Sequence, residues 1–130
     1  MYNKIFEGLI ELENEFASGN DIQHNTKTNI VYRTPRYKAY KQELIDAIDE
    51  LNDKFNVQIS QGTPIGIYLT FYQTNVNQTT RATKDLDNME KPTLDALQEA
   101  LGFDDSQIVT KLSKKKSHFT RALRVEIWLL

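Results

Sequence analysis

The sequence predicts an α+β fold, a single compact domain over residues 1–130 with a mixed β-sheet of about four strands packed with two main helices. Three observations carry this. Tyr37, Tyr40, Leu44, Ile48, Leu51 and Phe55 recur every three or four positions, the spacing of one buried helical face. Ile65, Ile67, Leu69 and Phe71 alternate with Gly66, Tyr68, Thr70 and Tyr72, the period of a strand. At 130 residues, a chain buries somewhat less than about 70% of its unfolded surface, enough for one core without staples.

Taken in order, residues 4–12 are expected as a strand with Phe6, Gly8, Ile10 and Leu12 on its apolar face; Ile5, Leu9 and Leu12 also fit a helical stripe. Residues 17–34 are polar and are expected as a loop, with room for a short strand at Ile30-Val31-Tyr32. A loop of that length in a small domain is either functional or a plain connection. Thr34 as N-cap and Pro35 at the first helical position open a helix over 35–55, which Asn56 ends. Its acidic face, Glu43, Asp46, Asp49, Glu50 and Asp53, is a solvated face. Gly62-Thr63-Pro64 is a turn into the strand 65–73. A polar loop then leads to a helix over 88–101, started by Asp87 or Asn88 and stopped by Gly102. Pro92 favours a start near Asp87, which keeps the proline close to the first turn. Strands over 107–112 and 122–129 close the chain, joined by a basic hairpin tip, Lys114-Lys115-Lys116.

Composition excludes several classes. There are no cysteines, so disulfides and thiolate metal sites are absent. No apolar run is long enough to span a membrane, and the opening Met1-Tyr2-Asn3-Lys4 does not have the pattern of a signal peptide, so a cytoplasmic protein is expected. The net charge of −2 argues against a strongly basic DNA-binding surface. The first 80 residues hold seven Lys/Arg against ten Asp/Glu, whereas the remainder holds nine against eight. The second part is therefore the more basic, and half or more of its acids fall in the segment considered next. No Gly-rich phosphate loop or Ser-His-Asp set is present.

That segment is Lys84-Asp85-Leu86-Asp87-Asn88-Met89-Glu90-Lys91-Pro92, with Asp104-Asp105 downstream. On an extended backbone, Asp85 and Asp87 point to the same side. Lys91 follows one helical turn later. If the chain folds back after Gly102, one of Asp104 and Asp105 can close a carboxylate cluster. Clustered carboxylates repel unless a hard divalent cation joins them, and Mg²⁺ takes oxygen ligands while keeping several waters. A neighbouring lysine can neutralise charge developing on a phosphate. The plainer alternative makes Asp87 a helix cap, Asp85 its solvated neighbour and Asp104-Asp105 a polar turn.

The order of residues resembles that of a known family. Asp85-x-Asp87-Asn88-x-x-Lys91, the helix body Asp95-Ala96-Leu97, and Asp104-Asp105 followed by Gln107-Ile108-Val109 are similar to the signature of RusA-type Holliday junction resolvases. The resemblance is strong from Lys84 to Lys114. It implies a RusA-like fold and a homodimeric, Mg²⁺-dependent, structure-selective endonuclease acting on four-way DNA junctions in recombination and repair, with Mn²⁺ as a substitute metal. In that family, three aspartates hold the metal and one lysine is needed for cleavage; those roles fall on Asp85, Asp87, Asp105 and Lys91. A catalytically weak branched-DNA-binding module or a protein-interaction homologue is the competing expectation.

Expected DNA contacts are Arg81, Lys84, Lys111, Lys114, Lys115 and Lys116. For the lysine run, ordinary solubility is the alternative. The Pro- and Asn-rich element that precedes the first helix in the family is missing here; His24-Asn25 and Lys27 stand in the corresponding loop.

Overall fold

The computed structural model describes residues 3–74 and 85–130. Arg81 and Lys84, two of the expected DNA contacts, lie outside the described residues.

The alternating stretches form the strands that they predict. β1 (Asn3–Glu11), β4 (Ile65–Gln73), β5 (Ile108–Ser117) and β6 (Ala122–Leu129) make one sheet in the order β1-β6-β4-β5. β6 runs antiparallel to both β1 and β4, whereas β5 lies parallel to β4, so the sheet is mixed as expected. A separate antiparallel hairpin, β2 (Ile22–Asn25) with β3 (Ile30–Arg33), occupies the expected loop. Its turn is fixed by the Asn25 side chain, which accepts from the backbone N–H of Lys27 and Thr28, and by Asn29 in the left-handed region at φ 57°.

Two helices cover one face of the sheet. α1 (Pro35–Phe55) begins where Thr34 and Pro35 place it: the Thr34 hydroxyl accepts the Tyr37 N–H at 3.3 Å. Asn56 ends it in the left-handed conformation. α2 (Leu86–Leu101) starts two residues before the expected position, with Asp85 rather than Asp87 or Asn88 as N-cap, and Gly102 stops it at φ 76°. Tyr37, Tyr40, Leu44 and Ile48 of α1 join Met89, Ala96, Leu97 and Leu101 of α2 over the inward residues Phe6, Ile10, Ile65, Ile67, Leu69, Phe71, Leu123, Val125 and Ile127. The predicted stripe on α1 fades at its end, where Phe55 is exposed but still meets Phe6 at 5.4 Å between ring centroids. Inside this layer, the Tyr40 and Thr93 hydroxyls bond at 2.7 Å, so neither is left unsatisfied between the helices.

β5 corrects one expectation. It runs on to Ser117, so Lys114, Lys115 and Lys116 are strand residues rather than a hairpin tip. Strand alternation then splits them. Lys114 and Lys116 share a cleft on the open face with Tyr68 and Tyr72, while Lys115 pairs with the inward Phe71. Among the described residues, no helix is long and apolar enough to cross a membrane.

Candidate functional site

The β4–α2–β5 connection is a crossover between parallel strands, so α2 runs back along the sheet. Its outward face and the start of β5 border a groove of about 420 Å³. Asp87, Glu90, Lys91, Leu94, Asp95 and Gln98 line one wall at helical spacing; Asp105 and Ile108 to Lys111 line the other.

The head of the groove holds Asp87 and Lys91, four apart and so on one face of α2. Asp85 stands just ahead, at the N-cap, with extended backbone and no side-chain capping bond. Anionic groups at this position are favoured by the unpaired N–H groups and dipole of the helix. The other end of the groove holds Asp105, whose carboxylate accepts from the Gln98 amide. From Asp87 to Gln98 is roughly 16 Å along the axis at 1.5 Å rise per residue. The chain does fold back after Gly102, but the fold-back places Asp105 beside the tail of α2, because β5 starts where α2 finishes. Among the described residues, no group of three or more His, Asp or Glu side chains is placed to hold a metal ion. The expected closing of a cluster of Asp85, Asp87 and Asp105 within one chain is therefore not seen. Asp87 and Lys91 line the head of the groove, whereas Asp85 stands at the N-cap outside its lining; with Asp87 inside the helix, the extended backbone expected to turn Asp85 and Asp87 to one side is not present.

Asp104 serves the turn. It caps the single 3₁₀ turn Asp105–Gln107 in a reciprocal box, accepting from Ser106 while Gln107 accepts from the Asp104 backbone N–H. The Ser106 hydroxyl and N–H hold its carboxyl below the usual carboxylate range. The Gln107 amide then donates to the Ser60 and Thr63 carbonyls at 2.9 and 3.0 Å, tying the turn to the segment before β4.

Pro92 explains how the head of the groove is held. It is the seventh residue of α2, beyond the first turn where it was expected. A proline there removes the N–H that would bond the carbonyl four residues back, which belongs to Asn88. That carbonyl instead accepts the Gly19 N–H at 2.8 Å. The docking brings the 18–21 segment against Lys91: a Cβ on Gly19 would lie 3.2 Å from Lys91 Cδ. The segment is braced by Ser18 N–H to the Asp21 carboxylate at 2.8 Å, and by Arg33 Nη1 to the Gly19 carbonyl at 2.8 Å. Arg33 also lies over the Tyr37 ring, 4.4 Å from its centroid, and the Tyr37 hydroxyl donates to Asp95 in the groove wall. Burial and the Asp95 carboxylate push the Tyr37 hydroxyl pKa up, so it stays a donor at any working pH. Part of the expected 17–34 loop thus braces the catalytic candidate Lys91.

The sequence reading overlooked Glu90. It is only 7% exposed, and its Oε2 lies 2.9 Å from Lys111 Nζ, close enough for an ion pair although not aligned as a hydrogen bond. Lys111, expected to contact DNA, therefore neutralises a buried carboxylate inside the groove, which would be costly to leave unpaired. The available signal was helical spacing: Glu90 falls three residues after Asp87, Asp95 four after Lys91 and Gln98 three after Asp95.

Asp85 and Asp87 are hard oxygen donors, and Mg²⁺ is ordinarily held by one or two carboxylates together with waters and substrate phosphates. Asp87, which shares the groove head with the cationic Lys91, and Asp85 at the N-cap are donors of the type that such a site uses. Over residues 15–128, which include every part of the groove, the chain matches the family model described as Endodeoxyribonuclease RusA. No curated protein matches the chain. Fold, motif and family match agree: the chain belongs to the endodeoxyribonuclease RusA family.

Proposed function

We propose that this member of a nuclease family is a Mg²⁺-dependent, structure-selective endonuclease that resolves Holliday junctions by paired phosphodiester cleavage. Membership in the family carries the reading. The juxtaposition of Asp87 and Lys91 at one end of an open groove supports it. Asp85 and Asp87 would hold the metal, which when bound supplies an activated water and polarises the scissile phosphate. Lys91, directed by the Gly19 contact, stabilises the charge that builds on the phosphate, leaving 5′-phosphate and 3′-hydroxyl ends. The Glu90–Lys111 pair neutralises the carboxylate buried in the groove, so that it does not repel a polyanion.

The position of Asp105 bears on assembly. At the far end of α2 it cannot join the Asp85–Asp87 pair of its own chain, but a second copy across a two-fold axis can supply it. A four-way junction is itself two-fold symmetric, and paired cuts need two sites held in that relation. We therefore assign the homodimer as the working unit, with Asp105 as the candidate ligand contributed across it. The separation of the aspartates also supports a second reading for the isolated chain, a branched-DNA-binding module without cleavage.

The test is incubation of the purified protein with a labelled synthetic four-way junction and a matching linear duplex, in Mg²⁺ or in EDTA. Paired nicks confined to the junction and dependent on Mg²⁺ are expected. Junction binding with no nicks in Mg²⁺ or Mn²⁺ would establish the binding module instead.

A further inference from the structure

The turn between β5 and β6 carries the most exposed large apolar side chain among the described residues, Phe119, at 84%. A single exposed apolar residue needs no explanation. This one ends a row of three aromatic rings, tilted by 56° and 40° from one to the next rather than stacked face to face. The Phe119 ring lies 4.4 Å from His118, and His118 lies 5.2 Å from Tyr72, centroid to centroid. The backbone beneath is braced on both sides. His118 N–H donates to the Gln73 carbonyl at 3.0 Å, Leu12 N–H donates to the Arg121 carbonyl at 3.0 Å, and Arg121 Nη1 donates to the Glu13 carbonyl at 2.9 Å. The row of rings is thus held out by a fixed turn.

Its surroundings are cationic. Tyr72 pairs across the ladder with Lys116, and Thr70 with Lys114; both lysines line the open-face cleft with Tyr72. Neither makes an ion pair among the described residues, whereas Arg124 nearby is held by Glu7 and Glu126. An exposed aromatic face beside lysines that make no ion pair among the described residues suits a nucleic acid strand whose bases are out of the duplex stack, since every base offers a π-face and every link a charge. The place in the fold agrees. Gln73, which accepts from His118, is the last residue of β4, and the chain leads from there to Asp85. The head of α2 is anchored at this end too, because Gly19 on Asn88 follows Phe16, which packs on Phe71 at 5.3 Å.

We infer that the exposed face of Phe119, at the end of the Tyr72–His118–Phe119 row of rings, is a platform for an unpaired nucleobase of bound DNA, with Lys114 and Lys116 holding the adjoining phosphates. This rests on the nuclease reading above for the choice of DNA as ligand. A junction opened at its crossover point supplies such a base, and a continuous duplex does not. The platform therefore discriminates branched from linear DNA at a surface separate from the carboxylates.

The experiment uses the full chain in EDTA, with 2-aminopurine placed at the crossover of a four-way junction, in a matching single strand, and in a linear duplex. The wild-type protein should quench the probe in the first two. Phe119→Ala should weaken binding of both by roughly 5- to 150-fold while leaving duplex affinity in place, and Phe119→Trp should restore it. Equal quenching and affinity for wild type and Phe119→Ala would overturn the inference, as would an equal loss on duplex or a change only in self-association. The same samples are then given Mg²⁺. Quenching lost in Phe119→Ala without any nicks keeps the platform and removes the nuclease reading. Junction nicks with no effect of Phe119→Ala keep the nuclease and remove the platform. Failure of the wild-type chain to bind any of the three DNAs removes both.

Discussion

Thr34 and Asp85 occupy the same position, the residue ahead of a helix, and both have extended backbone. They use it differently. Thr34 bonds the first turn of α1 through its hydroxyl and is followed by a proline suited to the first helical position. Asp85, a residue type equally good at capping, makes no such bond, and the proline of α2 falls where it breaks the backbone ladder. One helix start is built to be stable. The other gives up a cap bond and a ladder bond, leaves Asp85 and Asp87 without a side-chain partner among the described residues, and recruits a distant loop to repair itself. That is the expected mark of a site where local rules are relaxed for function.

The comparison can be broken by substitution. The largest effect is expected for Asp87→Asn, which should bring Mg²⁺-dependent junction cleavage below detection while junction binding survives; loss of binding would instead make Asp87 structural. Lys91→Ala should lower the cleavage rate by roughly 10²- to 10³-fold, measured in single turnover, with junction affinity little changed. On the open face, Lys114→Ala with Lys116→Ala should reduce the slope of log affinity against log salt by about 1 to 2, whereas Lys115→Ala, on the other face, should change it less. At the head of α1, Thr34→Ala should cost about 1 kcal/mol in denaturant unfolding and leave cleavage intact. Asp85→Ala should show the reverse pattern, and an equal loss of stability in the two variants would erase the contrast drawn here. The smallest effect concerns the turn before β5. The Asp104 carboxyl is depressed in the folded chain, so its contribution is full above its ordinary value of 3.8 and disappears as the pH falls through its lower folded value. Ser106→Ala should move the Asp104 titration back up towards 3.8, as followed by NMR.

Much of this was legible in the chain. α1, β4 and β6 fall where periodicity places them, because each has one strongly apolar face and clear stop signals. The family resemblance on Asp85-x-Asp87-Asn88-x-x-Lys91 agrees with the family match, and Asp87 and Lys91 do share a wall. What could not be read depends on distance in space. Asp105 follows α2 closely in sequence, yet the parallel crossover sends it to the far end of the helix. Lys114 to Lys116 looked like a tip because a basic run has no apolar alternation to mark a strand, and pairing with β4 decides the matter. Of the β2–β3 hairpin, the strand at Ile30-Val31-Tyr32 was expected, but β2 was hidden for the same reason: it is exposed along its length, so no buried face left a period in the sequence.

The bond between Gly19 and Asn88 has a genetic consequence. In a screen for variants that fold but do not cut, position 19 should be recovered although it bears no side chain, because a Cβ there would lie 3.2 Å from the Lys91 side chain, which must shift to admit it. Reversion should then arise at position 92, where loss of the proline lets the helix satisfy Asn88 by itself and releases the loop. Positions 19 and 92 would tolerate change as a pair and resist it singly, leaving a covariation signal between two residues that no reaction scheme would name.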